Sequence, residues 1–400
     1  MKPRDIELSR VTQYPNIIDT NSDNKLFCIS DSLGIRWIFP DTLKYPTFLS
    51  LYNSNTFKAY IYKTLFLLSF RLKLHRFLIN CNMRGKLNQK YSQILKSLNC
   101  TNFSIFTGTP GENRKFIIEG NDGKNTLYFI KVPATPNAKK LVQNEAKILK
   151  ELSKFKLTKI IVPEVAYQDN EVIAVTNIKP NKISTNKNFR EIHAQALKEI
   201  YLHTAKFVSL EELNLISEIE YLLTFIKSNL LMKKEFVFSE LLNKLEELFS
   251  LLNEGGKSIN ISLSHKDFTP WNMYITEDKL YVYDWELASF ETPLLFDFFH
   301  YIFQQNILVK HRKYNFIKQL IEHKISTLPT LQDIIKSYNI EVNRYYGYYL
   351  LINTSYYTFK YLRQDKLHKQ AFWLMKTWSE AIEDYLKTGG YPLEFKRKIY

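Results

Sequence analysis

The residues best suited to chemistry in this chain are His265-Lys266-Asp267-Phe268-Thr269-Pro270-Trp271-Asn272 and, a short apolar stretch later, Tyr283-Asp284-Trp285-Glu286. Asp267 stands five residues before Asn272, and Asp284 twelve residues after it. Together they offer three oxygen-bearing side chains on two neighbouring loops. Phosphoryl transfer needs such a set. One carboxylate takes the proton of an attacking hydroxyl, and an amide and a second carboxylate hold Mg²⁺ on the nucleotide phosphates. Asp267 is the candidate base, and Asn272 and Asp284 are the candidate metal ligands. His265 reads as a prop that holds the loop by hydrogen bonding. Glu286 reads as a further contact at or behind the metal. Lys266 is either a phosphate contact or a solvated charge. A lone Asp-x-x-x-x-Asn arises by chance, so its meaning depends on the elements that position it.

Upstream, Phe103–Phe106, Lys115–Glu119 and Thr126–Val132 read as a three-stranded meander with turn residues in each gap. The first gap, Gly108-Thr109-Pro110-Gly111, either lays backbone N–H groups over phosphates or is an ordinary hairpin loop. The third strand carries Lys131 in an otherwise apolar run, where a charge needs a partner. The helix expected over Asn137–Phe155 supplies one, because Glu145 falls on its apolar stripe between Leu141 and Leu149. Lys131 and Glu145 look like the strand lysine and helix glutamate that position nucleotide phosphates in kinases. A purely structural ion pair is the other reading. Two short strands follow, Ile160–Val165 and Val172–Thr176. The polar stretch from Asn177 and Ile178 is then where a two-lobed kinase-like chain would meet an adenine edge with its backbone. Beyond it the spacing predicts helices near 189–207, 209–229 and 233–254, with Gly255-Gly256 as a stop. A strand, Ile259–Leu263, leads into the opening motif, and a helix starts near Leu294 carrying Asp297 and His300. Residues 310–387 read as helical, with aromatic runs that suit core packing better than ligand stacking.

The first hundred residues read as a segment of their own. A hairpin is expected across Leu26–Ser30 and Ile35–Phe39 around Asp31-Ser32-Leu33-Gly34, then a long helix over roughly Thr56–Cys81. Its basic residues are Lys58, Lys63, Arg71, Lys73 and Arg76, with Lys86 and Lys90 beyond. It either lies on a membrane surface or packs on the main body with its charges in water. The formal net charge is +15, but no compact Arg/Lys block appears, so nucleic acid is not an expected partner. Cys28, Cys81 and Cys100 show no metal spacing and suit free thiols in a reducing compartment. The N-terminus carries no apolar signal region, and the run Thr64–Phe70 is too short to span a bilayer. A cytoplasmic location is expected.

From about Phe103 onward the sequence resembles the aminoglycoside phosphotransferase and choline kinase superfamily. Ser264–Asn272 is similar to its catalytic loop, Asp284-Trp285-Glu286 to its metal motif, and Phe296-Asp297-Phe298 to the helix start that follows. The resemblance implies an α+β, two-lobed protein-kinase-like fold. It divides the chain into an α/β extension over 1–100, a small β-rich N-lobe over 101–178 and a helical C-lobe over 179–400. It also implies ATP and Mg²⁺ as cofactors and a small-molecule hydroxyl as acceptor. Asp267 would be the base, and Asn272 and Asp284 the metal ligands. Lys131 and Glu145 would handle the phosphates, and Asp297 would be a buried support for the loop. Lys266 stands where the family often has glycine, the glycine loop is sparse, and there is no D-F-G or A-P-E segment, which separates the chain from protein kinases. The extension before H-x-D-F-T-P-W-N resembles phosphotransferases of bacterial surface-polysaccharide loci. Two other readings stand beside the enzyme: a nucleotide-binding scaffold without turnover, and a binder of anionic surfaces through the basic extension.

Overall fold

The computed structural model describes residues 16–31, 34–50, 57–79, 81–233, 236–254, 258–364, 367 and 369–394. The chain divides into two compact units, Met1–Lys154 with Val162–Ile178, and Phe155–Ile161 with Lys179–Tyr400. The first is β-rich and the second mainly helical, so the chain is α+β.

In the β-rich unit the elements run β1 (Lys25–Asp31), β2 (Gly34–Pro40), α1 (Phe57–Arg71), β3 (Cys81–Arg84), α2 (Gln89–Ser97), β4 (Asn102–Phe106), β5 (Lys115–Asn121), β6 (Thr126–Pro133), α3 (Pro136–Leu152), β7 (Val165–Gln168) and β8 (Ile173–Thr176). The eight strands form one antiparallel sheet in the order β7-β8-β6-β5-β4-β2-β1-β3. The first hundred residues, read above as a segment of their own, place three strands in this same sheet. The join is made where Trp37 and Ile38 pair with Phe106 and Ile105.

Alternation along the strands gives the sheet two apolar faces. On one, Leu26, Ile38, Ile105, Phe116, Ile118 and Ile130 pack under Tyr91, Ile94 and Leu95 of α2. On the other, Phe27, Trp37 and Phe39 meet Phe48 and Phe70. A buried acid, Glu119, sits on β5 and accepts from the Ser104 hydroxyl at 2.5 Å and from the Thr126 hydroxyl. Burial raises its carboxyl above the usual range, against the pull of those hydroxyl donors.

The expected helix Thr56–Cys81 is shorter, because the chain leaves α1 at Arg71 and Cys81 already begins β3. Lys73 takes φ +58°, and the Leu74 N–H reaches back to the Ser69 carbonyl at 2.8 Å, a Schellman-type closure without glycine. The expected strand Ile160–Val165 is split at Pro163, which cannot donate to a ladder. Ile160–Ile161 belongs to the helical unit and Val165–Gln168 to the large sheet. The turn residues Ser32 and Leu33 and the stop at Gly255-Gly256 lie outside the described residues.

The helical unit contains α4 (Glu191–Thr204), β9 (Lys206–Ser209), α5 (Asn214–Lys233), α6 (Phe236–Glu254), β10 (Ser258–Ser264), β11 (Met273–Ile275), β12 (Leu280–Val282), β13 (Ser289–Pro293), α7 (Phe296–Gln304), α8 (Tyr314–Thr327), α9 (Pro329–Ser337), α10 (Val342–Leu362) and α11 (Lys369–Lys387). The helix expected over 189–207 ends at Thr204, and the next residues form β9 against β10. Ile160–Ile161 runs parallel to β12, which pairs with β11. The aromatic run of α10 is core: Tyr346, Tyr348 and Tyr349 are buried. Gly347 is required there, because a Cβ would sit 2.6 Å from the Tyr385 hydroxyl.

Candidate active site

The β-rich unit, taken by itself, holds an ion pair and a braced loop. Lys131 Nζ lies 2.6 Å from one Glu145 oxygen and 2.7 Å from the other. Glu145 is fully buried and Lys131 nearly so. Two features hold the glutamate in place. Thr135 caps α3 by accepting from the Ala138 N–H at 3.0 Å, and Pro136 pre-sets the first turn. A pair removed this far from water is a weak source of stability and an exact positioner, since loss of one partner strands the other charge.

The loop between β4 and β5 is braced at both flanks. The Arg36 guanidinium donates to the Gly108 carbonyl at 2.7 Å, Arg114 Nε to the Thr107 carbonyl at 3.0 Å, and the Thr107 hydroxyl to the Ile35 carbonyl at 2.6 Å. The Thr135 hydroxyl also donates to the Glu112 carbonyl, tying the loop to the start of α3. Gly108 adopts φ +71°, and a Cβ there would meet the Lys115 carbonyl at 2.2 Å. The tip, Thr109–Glu112, is exposed. Asn177 turns inward instead of outward. Its backbone N–H donates to Leu127 at 2.8 Å and its side chain to Thr126 at 2.9 Å.

The helical unit, taken by itself, holds the His265–Asn272 loop and Asp284. Asp297, at the start of α7, accepts from the His265 N–H at 2.7 Å and the Lys266 N–H at 2.9 Å. Burial raises its carboxyl, and His265 and the two backbone donors oppose that rise. His265 is buried, and its Nδ1 accepts from the Asp267 N–H at 3.2 Å while Nε2 meets the Tyr283 carbonyl at 3.0 Å. One ring thus joins the two motif loops. Tyr283 closes the link twice more, donating from its N–H to Asn272 at 3.1 Å and from its hydroxyl to Trp271 at 2.6 Å.

Asp267 projects from this frame with its side chain about a quarter exposed. The Asn272 amide nitrogen donates to its Oδ2 at 2.9 Å and to its backbone carbonyl at 3.0 Å. That orientation turns the Asn272 Oδ1 away from Asp267, as a metal ligand would require. Asp284 takes a left-handed conformation at φ +68°, and its carboxylate and that of Glu286 bring oxygens within 4.8 Å of each other. Two carboxylates and one amide oxygen fit a hard, oxygen-seeking cation such as Mg²⁺.

His300, named above only as a residue of the helix after Leu294, was given no role there. It is buried on α7, one turn after Asp297, with Nε2 3.4 Å from Asp267 Oδ1 and Nδ1 3.2 Å from Asn353 Oδ1. Its signal was the Asp297-x-x-His300 spacing, which puts both on one helix face. Tyr356 also belongs here. Burial first, then the charges of Glu286 and Asp267, push its hydroxyl up to about 12.

Lys266 is half-buried, and its backbone is unusual. It adopts φ +63° and lines a small cavity with Glu218, Ser289 and Glu291. Burial lowers its amine, and the carboxylates of Glu218 and Asp297 oppose that. A glycine is at ease at this φ, which accounts for the glycine of the resembled motif, whereas a residue with a Cβ is strained by roughly 1–2 kcal/mol. Lys266→Gly is therefore expected to raise stability by about 0.5–1 kcal/mol, read as a higher urea midpoint. A lower midpoint would show that the lysine side chain contributes more than the strain removes.

No family model matches the chain, and no curated protein matches it. Solved structures do. An ADP-bound aminoglycoside phosphotransferase, APH(2'')-Ib, is 16% identical, covers 74% of this chain and 99% of its own, and gives a TM-score of 0.47. Choline kinase LicA from Streptococcus pneumoniae is 14% identical, with the same coverage and a TM-score of 0.47. A choline kinase from Cryptosporidium parvum is 13% identical, covers 72% of this chain and 92% of its own, and gives 0.49. These three scores are all below 0.5, and what the chain can do chemically is carried by its own side chains.

Proposed function

We propose that the chain is an ATP- and Mg²⁺-dependent phosphotransferase acting on a hydroxyl of a small molecule: a sugar, a sugar derivative or an amino alcohol. The observation that supports it best is the setting of Asp267. A partly exposed carboxylate is held by Asn272 and flanked by His300, on a loop whose backbone is fixed by Asp297. Asp267 would orient the acceptor hydroxyl and take its proton as oxygen bonds to the γ-phosphorus and the bond to the ADP oxygen breaks. Asn272 and Asp284, with Glu286 beside them, would hold Mg²⁺, whose contribution is to neutralise phosphate charge. Lys131, aimed by Glu145, would bind phosphate oxygens, and the loop at Gly108–Gly111 would cover them. Backbone groups around Asn177 and Ile178 would meet the adenine edge, with the Asn177 N–H already given to Leu127, so that its carbonyl and the groups of Ile178 are the ones available.

Nucleotide binding is the first step to test. Saturating ATP with Mg²⁺ is expected to raise the melting temperature, by the equivalent of about 2–4 kcal/mol at a hundred- to thousandfold excess over Kd. EDTA should abolish the shift. The charge-neutral pair Lys131→Met/Glu145→Gln should fold without a stranded charge yet lose most of it. No shift in the wild type would remove the proposal.

A further inference from the structure

Helix α1 has two apolar faces, and among the described residues only one of them is packed. Phe66 and Phe70 pack inward on Phe48 and Phe39. On the opposite side Ile61, Leu65, Leu68 and Leu72 follow one another at steps of four, three and four, which aligns them along one stripe. All four are exposed, Leu65 by 60% and Leu72 by 58%. The left-handed turn at Lys73 extends the stripe with Leu74 and with Phe77, which is 81% exposed. The turn itself is held firmly, since His75 is buried and stacks on Phe70 at 3.9 Å. Six large apolar side chains on one short segment form a patch of a kind that soluble surfaces seldom leave bare.

The charge around the patch identifies what covers it. Residues 57–79 contain Lys58, Lys63, Arg71, Lys73 and Arg76 and not one Asp or Glu. Arg71 and Lys73 are exposed beside the stripe, and Arg76 pairs with Asp41 at 3.1 Å. A second copy of the chain would bring two such cationic segments face to face. An anionic lipid surface accepts both features at once, with leucines in the acyl boundary and cations among the headgroups.

The depth of insertion follows from length and packing. The 15 residues of α1 make about 22 Å of helix, short of the roughly 30 Å of a bilayer core, and the inner face is already committed. Among the described residues no helix is long and apolar enough to cross a membrane. We infer that α1 and the turn after it form an interfacial docking element that seats the β-rich unit on an anionic membrane surface. This inference does not depend on the phosphotransferase reading.

Co-sedimentation of the full chain with vesicles tests it. Vesicles of phosphatidylcholine with about one third phosphatidylglycerol should bind the protein, pure phosphatidylcholine should bind it far less, and added salt should weaken the attraction. Leu65→Gln/Leu72→Gln should reduce partitioning by about tenfold or more. Arg71→Glu/Lys73→Glu should reduce it comparably and remove the salt dependence. All four positions are exposed, so melting temperatures should stay near wild type and certify the fold. No binding to the mixed vesicles at low salt would overturn the inference, as would unchanged binding by the leucine variant. Light scattering that shows a dimer lost on Leu65→Gln/Leu72→Gln would overturn it in favour of a second copy.

Discussion

Asp267→Ala is expected to lower ATP-driven turnover by about 10²–10⁴-fold, the usual contribution of a positioned general base. It should do so without unfolding the protein. Asp267 is partly exposed, and the Asn272 amide that donates to its carboxylate also donates to its backbone carbonyl. The long contact from buried His300 is lost, so stability should fall by no more than about 1–2 kcal/mol, and the thermal shift with ATP and Mg²⁺ should remain. Asp267→Asn keeps the shape and an acceptor oxygen but not the basicity, so it should be nearly as inactive. Steady-state kinetics with a turned-over acceptor check this. A variant with wild-type turnover would mean that Asp267 is not the base.

Asp297→Ala should show the opposite division between stability and chemistry. Its carboxylate accepts two backbone N–H groups, those of His265 and Lys266, in a region sealed from water. Each orphaned buried donor costs about 1–3 kcal/mol, so the expected destabilisation is about 3–5 kcal/mol. For a unit of this size that is on the order of 10 °C in melting temperature. Turnover should fall as well, because the same two bonds set the direction of Asp267. Asp297→Asn retains one carbonyl acceptor and should recover roughly half of the loss. Calorimetry of the two variants separates the outcomes, and an unchanged melt for Asp297→Ala would show that the loop is held elsewhere.

What could be read from the sequence followed from local contrasts. Lys131 and Glu145 stood out because each places a charge where its strand or stripe is apolar, and such charges have to find each other. The Asp267–Asn272 spacing was legible because both residues share one loop. The meander and the hairpin Leu26–Phe39 carried their own turn residues. His300, Asn353 and Tyr356 were not legible as neighbours of Asp267, because α7 and α10 reach it from far along the chain. Arg36 braces Gly108 from 72 residues away, and no spacing encodes that. The end of α1 was missed because Lys73 adopts a left-handed turn that glycine usually signals. The bonds that anchor Asn177 run to Thr126 and Leu127, which order along the chain does not reveal. The outward stripe of α1 was hidden for a related reason, since a helix apolar on two sides has no periodic contrast to detect.

Phosphate transfer itself tests the central claim most directly. The purified wild-type chain, incubated with ATP and Mg²⁺ against a panel of sugars, sugar derivatives and amino alcohols, is predicted to form ADP and a singly phosphorylated acceptor in equal amounts. Both should disappear in EDTA and in Asp267→Ala. Binding of ATP and Mg²⁺ with no transfer to any acceptor on a broad panel would contradict the phosphotransferase and leave a nucleotide-binding scaffold in its place.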